Sequence, residues 1–447
     1  MDHWQRRGVG VEVRQLVSDG DCVDGACGCG APSAPAPAAA AQAGQLLRRD
    51  DRDLTIEVHD RLPALTYQWE QAAASDSSPS AGPMWLGVFE QRNPTVAARH
   101  LLATRGDTEL ALLPGYLLHR PGHPDLDPRT YLGWRPVSGE AVCCDSASFG
   151  GDQQPGLLDQ LDPARFFPAL LLGSPFGYKT EIVHSFWQAD LAQRLLEAAV
   201  EQASREGVQT IYAPWVADHA SGAALAQALE RAGAVPSFWA FEDYFPLDHG
   251  SYQAHLARMK WARRYRHRKD LEAADALGLT VRPLLDSELD RHLVRIGELS
   301  ASNRQKYGVD ATADDAPAVI RELQAAGVGV LVTGGFLDGE LVACCVTFIK
   351  GDRVYAKYTG VAYDLLGERS GAYFTVVLHA VIDAAYRRGY RAVEFGVGAH
   401  QAKALRGCAS RTVTSYTLPA DPTMTSLVQQ TAQASAQRRS NDFVLTG

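Results

Sequence analysis

Glu394-Phe-Gly-Val-Gly-Ala-His-Gln-Ala-Lys403-Ala-Leu-Arg-Gly407 decides the fold. It begins as the end of a strand, residues 391–395, whose apolar residues are interrupted by the single acid Glu394. The strand stops at Gly396 and Gly398, where the lack of side chains lets the backbone splay and lets another molecule approach it closely. Moving upstream, residues 373–388 repeat apolar side chains at helical spacing through Phe374, Val377, Leu378, Val381, Ile382 and Ala385. Gly389 ends that helix. Before it, strands at 330–336, 340–350 and 353–360 are joined by the tight turns Asp338-Gly339 and Gly351-Asp352, an antiparallel meander.

The N-terminal half shows the same order. Residues 85–90 read as a strand, and 100–104 and 109–118 as a hairpin about Arg105-Gly106-Asp107. A helix at 189–205, a strand at 209–216, a helix at 221–231 and a final strand at 237–247 complete it. The insertion between Arg120 and His184 has no counterpart in the second half. Two copies of one meander–helix–strand unit, joined by a helix beginning near Tyr252, account for the pattern. The expected division is a low-complexity, disordered tail (1–50), an N-terminal domain (51–249), a basic joining helix (250–278), a C-terminal domain (279–425) and a C-terminal tail (426–447).

A meander, a helix and a strand that opens into glycines resemble the GNAT acyltransferase fold. The pattern acid–x–Gly–x–Gly, then Lys five residues on and Gly four after that, resembles the second domain of Fem-type peptidoglycan aminoacyltransferases and the broader Fem-like group of bacterial biosynthetic pathways. The resemblance spans roughly residues 55–420. It implies an α/β (α+β) protein with two tandem GNAT-like domains, mixed central sheets and flanking helices. GNAT enzymes that use acyl-CoA hold its pyrophosphate with an (Arg/Gln)–x–x–Gly–x–(Gly/Ala) loop at a helix N-terminus. Here that loop is Gly367-Glu-Arg-Ser-Gly-Ala-Tyr373, with Glu368 in the first position and Tyr373 in the last. Arg369 offers partial compensation. Fem-type enzymes also lose this loop, because their donor is an aminoacyl-tRNA, and the expectation moves from CoA to tRNA accordingly.

Amide formation requires an amine that loses a proton, donors for the oxyanion and a placed leaving group. Lys403 is the first candidate for the oxyanion, the role this lysine is assigned in Fem-type enzymes. Glu394 is either a base acting on the amine or a structural hydrogen-bond acceptor. His400 is a base or a solvated loop residue. Tyr373 donates to a leaving oxygen or packs in the core. Gly396 and Gly398 permit close approach of substrate. Gly173 to Lys179, with Tyr178, is a candidate acceptor-pocket loop between domains.

Residues 258–269, Arg-Met-Lys-Trp-Ala-Arg-Arg-Tyr-Arg-His-Arg-Lys, hold seven Arg or Lys. Like charges at helical spacing repel, so this concentration calls for a purpose in a chain of net charge −9. Arg258, Lys260, Arg263, Arg264, Arg266, Arg268 and Lys269 form a candidate site for tRNA phosphates, a nucleotide or an acidic substrate, or a solvated helix paired with Glu272 and Asp275. Trp261 and Tyr265 share a face and, with Leu256 and Met259, are expected to pack downward.

The remaining features set bounds. A chain of 447 residues exceeds one ordinary core. Its net charge excludes a protein that coats nucleic acid over its whole surface. No apolar run approaches the ~20 residues of a membrane span, and no apolar stretch comes after Arg6 and Arg7 to make a leader, so a cytoplasmic chain is expected. The eight cysteines contain no paired CxxC spacing, in keeping with a reduced setting. Cys22, Cys27 and Cys29 lack an evident fourth ligand, and no metal is expected. The leading functional expectation is aminoacyl transfer from aminoacyl-tRNA to the amine of a small molecule or peptide, with a natural-product amine at least as plausible as peptidoglycan, and with no tightly bound cofactor. An acyl-CoA-dependent N-acyltransferase and a non-catalytic GNAT-like binding module are the alternatives.

Overall fold

The computed structural model describes residues 54–63, 78–94, 96–134, 160–174, 177, 179–184, 190–218, 220–306, 311–368 and 370–445. The tail with Cys22, Cys27 and Cys29, as well as Cys143, Cys144, Tyr178 and Arg369, lies outside them. The chain divides into two units, Met1–Thr55 and Ile56–Gly447, and the second holds the strands and helices that position the candidate site.

The main sheet of that unit contains, in chain order, β1 (Ala97–Ala98), β2 (Gly115–Leu118), β3 (Ala169–Leu172), β4 (Thr210–Ala217), β5 (Val235–Pro246), β6 (Thr280–Pro283), β7 (Gly329–Leu337), β8 (Glu340–Lys350), β9 (Arg353–Val361), β10 (Ala392–Gly396) and β11 (Ala409–Pro419). Its principal helices are α1 (Pro83–Arg92), α2 (Leu191–Arg205), α3 (Ala220–Arg231), α4 (Tyr252–Arg258), α5 (Trp261–Ala276), α6 (Asp286–Lys306), α7 (Asp315–Ala325), α8 (374–387, its first turns π-helical), α9 (His400–Ala404) and α10 (Thr423–Leu445).

The strand order is β6-β7-β8-β9-β10-β5-β11-β4-β3-β2-β1. All neighbours are antiparallel except two pairs, β9–β10 and β3–β4. The order is symmetric about the central pair β5–β11. The last strand of each half lies beside the other half's penultimate strand: β5 pairs with β10, and β11 pairs with β4. The sheet therefore runs unbroken through both halves, and the seam is made by exchanged strands. The tandem GNAT architecture holds, with one shared sheet.

Three local readings change. Residues 85–90, expected as a strand, lie in α1. Pro83 sits in its first turn, where a missing N–H costs nothing, and Trp85, Leu86, Val88 and Phe89 are buried on several sides, which masks the helical period. The expected strand 109–118 breaks at Pro114. Thr108–Leu113 pairs with His100–Arg105 in a smaller sheet, while β2 continues into the main one. Proline cannot donate to a ladder, so the chain changes sheets there. Residues from 426, expected as a tail, form most of α10. Met424, Val428 and Ala432 are buried, and Arg439 lies over Trp239 with its guanidinium 3.7 Å from the ring centre. Small residues at i, i+4 explain why that helix looked like a tail: its buried face carries little hydrophobic bulk.

Elsewhere the elements match their patterns. In α2, Leu191, Leu195, Ala199 and Ala203 repeat every fourth residue and are buried, each leucine contributing about 1.5–3 kcal/mol. Cys344, Cys345 and Cys408 are buried free thiols, held above their ordinary pKa by burial. Among the described residues no helix is long and apolar enough to cross a membrane.

Candidate functional site

The site begins where two parallel strands part. Strands β9 and β10 pair at only three positions, Arg353 with Ala392, Val354 with Val393 and Tyr355 with Glu394. Beyond that point β9 continues to Val361 while β10 turns away at Gly396. Gly396 and Gly398 have φ of +65° and +86°, and a Cβ on either would meet open space. Glycine is thus required by the backbone, not by crowding. Ala399 is also left-handed, at φ +49°, and starts α9.

Lys403 lies one turn into α9 and is buried. Its Nζ donates to three successive carbonyls of the splayed loop, Phe395 at 3.0 Å, Gly396 at 3.2 Å and Val397 at 3.4 Å. An ammonium has three donors. In this geometry Lys403 therefore holds the shape of the loop. Asp243 Oδ2, at 3.8 Å, offsets its charge.

Successive residues of β5 point to opposite faces of the sheet. Asp243 faces α9. Its Oδ1 accepts from Ser410 Oγ at 2.7 Å and lies 2.8 Å from His400 Nδ1. The His400 ring stacks on Phe241, centroids 4.6 Å apart, with its side chain 20% exposed. The expected loop histidine is thus anchored at the start of α9 by a buried carboxylate. With Nδ1–H donated to the Asp243 carboxyl, Nε2 is the ring nitrogen that carries the lone pair.

Glu242, the neighbour of Asp243, points to the other face and into a buried cluster of six charges. Glu394 Oε1 accepts from Arg353 Nη1 at 2.7 Å, and its Oε2 accepts from Arg411. Lys179 Nζ is 3.3 Å from Glu242 and 3.9 Å from Glu181. Three cations balance three anions. Burial pushes the Glu394 carboxyl up, but Lys179 and Arg411 outweigh it and hold the pKa below the ordinary value. Burial wins at Glu242, which is raised despite Lys179. Lys179 is raised by Glu242, Glu394 and Glu181 against its own burial. Of the two readings of Glu394, the structure supports the structural acceptor. Lys179, in the expected acceptor-pocket loop, is instead part of this packed core.

The basic helix is tied to the same site. Asp270 of α5 receives Arg406 in a bidentate pair, Nε at 2.6 Å and Nη2 at 2.7 Å, and His379 Nε2 lies 3.0 Å away. Tyr252 Oη is 2.8 Å from His379 Nδ1. Burial raises Asp270, and the bonds from His379 and Arg406 more than reverse it, leaving its pKa low. Burial drives His267, against His379, down to about 3. Arg406 lies three residues after Lys403, so α5 is clamped to the splayed loop.

The face of α5 is the reverse of the expected one. Trp261 is 68% and Tyr265 38% exposed, their rings stacked at 5.2 Å, while Asp270 and Ala274 point inward. Leu256 and Met259 are buried, as expected, but they belong to a separate core cluster. A kink at Met259–Lys260 separates α4 from α5 and breaks the continuous helical face. Arg258, Lys260, Arg263, Arg264, Arg266, Arg268 and Lys269 are exposed. Arg268 and Lys269 pair with Glu272, and Arg264 donates to the carbonyls of Ala257 and Met259. Glu368 pairs with Lys306, and Tyr373 is partly buried at the start of α8.

Sequence reading missed Asp243, Glu242, Arg411, Asp270 and Arg406. The signal for the first two was present: Glu242-Asp243 are adjacent acids inside the apolar strand Phe241 to Phe245.

The model of the FemAB-like family, described as peptidoglycan biosynthesis/recognition, matches residues 158–444. Among solved structures, the crystal structure of FemX superposes with a TM-score of 0.50 at 12% identity, covering 82% of this chain and 99% of that one. A tandem GNAT protein from the clavulanic acid biosynthesis pathway matches at 15% identity, with 83% and 99% covered and a TM-score of 0.42. L-PGS from Bacillus licheniformis matches at 11%, with 75% and 89% covered and a TM-score of 0.44. Comparison with curated proteins finds no match.

Proposed function

This chain belongs to the FemAB-like family, and on that premise we propose that it forms an amide bond by moving an aminoacyl group from aminoacyl-tRNA to the amine of a small molecule or peptide. The observation that carries the chemistry is the 2.8 Å contact between Asp243 and His400 beside the splayed glycine loop. His400 Nε2 takes the proton as the amine nitrogen attacks the ester carbon. The C–N bond forms, the C–O bond to the ribose breaks, and the proton passes to the ribose oxygen that leaves. Backbone of the parted strands, shaped by Lys403, receives the acyl group between β9 and β10. These are the roles the geometry favours over Glu394, whose oxygens are held by two arginines.

For the donor, the support is the exposed basic face of α5 and its clamp through Asp270 to Arg406. A polyanion on α5 would lie against the element that leads to the splayed loop. Glu368 in the loop that acyl-CoA enzymes use for pyrophosphate weighs in the same direction. For the acceptor, the family's description as peptidoglycan biosynthesis/recognition supports an amine of a peptide or small molecule, and a natural-product amine belongs to the same chemical class.

The test offers charged tRNA and acyl-CoA in parallel, with an extract of small amines and peptides, and reads products by mass spectrometry. Aminoacylated product that requires tRNA, disappears with ribonuclease and falls at least ~100-fold in His400→Ala supports the reading. Product from acyl-CoA that survives ribonuclease sinks the donor assignment. No product with either donor, alongside intact biological function of Lys403→Ala and His400→Ala, favours a binding module.

A further inference from the structure

Away from the acyl-transfer site, the chain leaves β5 through Asp248 and His249 and returns His255 to the same spot on α4. Asp248 Oδ1 lies 3.5 Å from His249 Nε2 and 3.6 Å from His255 Nδ1. The three atoms all lie within 4.8 Å of one another. Ligands of a tetrahedral ion at ~2.0–2.1 Å stand roughly 3.3–3.4 Å apart. The two measured edges are close to that value and long for strong hydrogen bonds. The third edge, between the two imidazoles, is within 4.8 Å, and small rotations of the Asp248 side chain and the His249 ring bring the three atoms to that spacing.

The group is also supported. The His255 ring lies 4.5 Å from that of fully buried Phe245 and 4.8 Å from that of His249, while Tyr386 Oη, 3.1 Å from the same Nδ1 that faces Asp248, is the hydrogen-bond partner an ion there would displace. His255 is therefore held on the core, while Asp248 and His249 come from the adjoining loop. The edge toward Asp248, whose side chain is 62% exposed, admits an ion and a water. Imidazole, imidazole and carboxylate are the donor set of a borderline divalent ion with one position left open.

We infer that Asp248, His249 and His255 form a binding site for a divalent transition-metal ion of the zinc class, with water or an anionic oxygen in its fourth position. The ion would staple the loop after β5 to α4, the segment from which the basic helix departs. It adds to the reading of acyl transfer and does not depend on it. Arg263 lies near His255, and its positive charge opposes a bound cation.

The test titrates Zn2+ against a chromophoric chelator with the full chain carrying Cys22→Ser, Cys27→Ser and Cys29→Ser, so that tail thiols do not contribute. One equivalent should bind, and Zn2+ should raise the melting temperature. His249→Ala and His255→Asn should each weaken binding by at least the ~10–100-fold typical of disturbing even a supporting residue. Because His255 packs on the core, His249→Ala is the decisive variant, with its zinc-free melting curve compared with that of the parent chain. Co2+ bound at the site should give visible bands without a thiolate charge-transfer band. Absence of stoichiometric binding in the chain lacking its three tail thiols overturns the assignment, and so does unchanged affinity in His249→Ala.

Discussion

The two parallel strand pairs of the sheet have the same topology and opposite fates. In each half three residue pairs form and the strands then part: Ala169 to Leu171 with Thr210 to Tyr212, and Arg353 to Tyr355 with Ala392 to Glu394. In the N-terminal half the gap is filled by the chain itself. The Thr180 hydroxyl lies between the carbonyls of Leu172 and Pro214, and its N–H donates to Trp215 O at 3.1 Å. In the C-terminal half Lys403 holds the loop from behind, and the positions of Gly396 and Gly398 face open space. A parted parallel pair exposes backbone groups that must find partners. One half supplies them with Thr180, wedged between the strands, and the other with Lys403, which leaves the two glycines uncovered; the reading proposed above puts the acyl group there.

The strongest way to break that comparison is Lys403→Met. It leaves three carbonyls without their donor and Asp243 without its nearest cation, so stability should fall by about 3–5 kcal/mol and transfer should vanish. A urea melt matching that of the parent chain would mean that the loop keeps its shape by other means.

Next comes Glu394→Gln, with an expected cost of about 3 kcal/mol, since Arg353 and Arg411 lose their shared anion. Glu394 has a folded pKa below its ordinary 4.5. Its stabilisation is therefore complete above the unfolded value and lost as pH falls through the folded one. The gap in stability between parent and variant should be constant near neutrality and close below about pH 4. Glu242, whose pKa burial raises, acts in the opposite sense and is common to both proteins. Denaturant melts from pH 7 to pH 3 read the difference; a gap that widens in acid contradicts the pairing.

A pair of glycine substitutions sharpens the contrast. Gly173 has φ +116°, and an added Cβ would sit 2.3 Å from Thr180 Oγ1. Gly173→Ala should cost about 2 kcal/mol while leaving most transfer activity. Gly396→Ala, strained only by its φ, should cost about 1 kcal/mol yet lose far more activity. Equal losses of activity in the two variants would erase the functional distinction between the gaps.

The smallest stability effect belongs to the exposed face of α5. Trp261→Ala should change stability by less than about 0.5 kcal/mol. If α5 receives RNA, it should weaken tRNA binding by roughly tenfold, the lower end of one lost base stack. Arg266→Gln should lower the slope of log affinity against log salt by about 1. Filter binding across a salt series checks both.

Much of the architecture was legible because it is local. The meander 330–360, the helix before Gly389 and the strand that stops at Gly396 derive from alternation, helical period and turn glycines. The repeat of the two halves was visible as element order. The α1 and α10 errors have one cause, since period is unreadable when a helix is buried on several sides or lined by alanine and serine. Site chemistry was only half legible. Lys403 and His400 stood out by their place in the motif, but their partners are remote: Asp243 lies 157 residues before His400, and Asp270 136 before Arg406. The orientation of Trp261 also depended on a remote contact, because Asp270, buried by Arg406 and His379, fixes which side of α5 turns inward.

The sequence by itself determined the fold class, the tandem order of the halves, the glycine loop and the concentration of positive charge on one helix. These depend on spacings within a few turns of chain. Only the tertiary structure decided that β5 and β11 exchange neighbours, that Lys403 faces backbone carbonyls and that Thr180 sits between the strands of the other parallel pair. Those outcomes depend on which residues meet across the sheet. Strand exchange brings Glu242, Glu394 and Arg411 together from three separate segments, and no local pattern encodes a meeting of that kind.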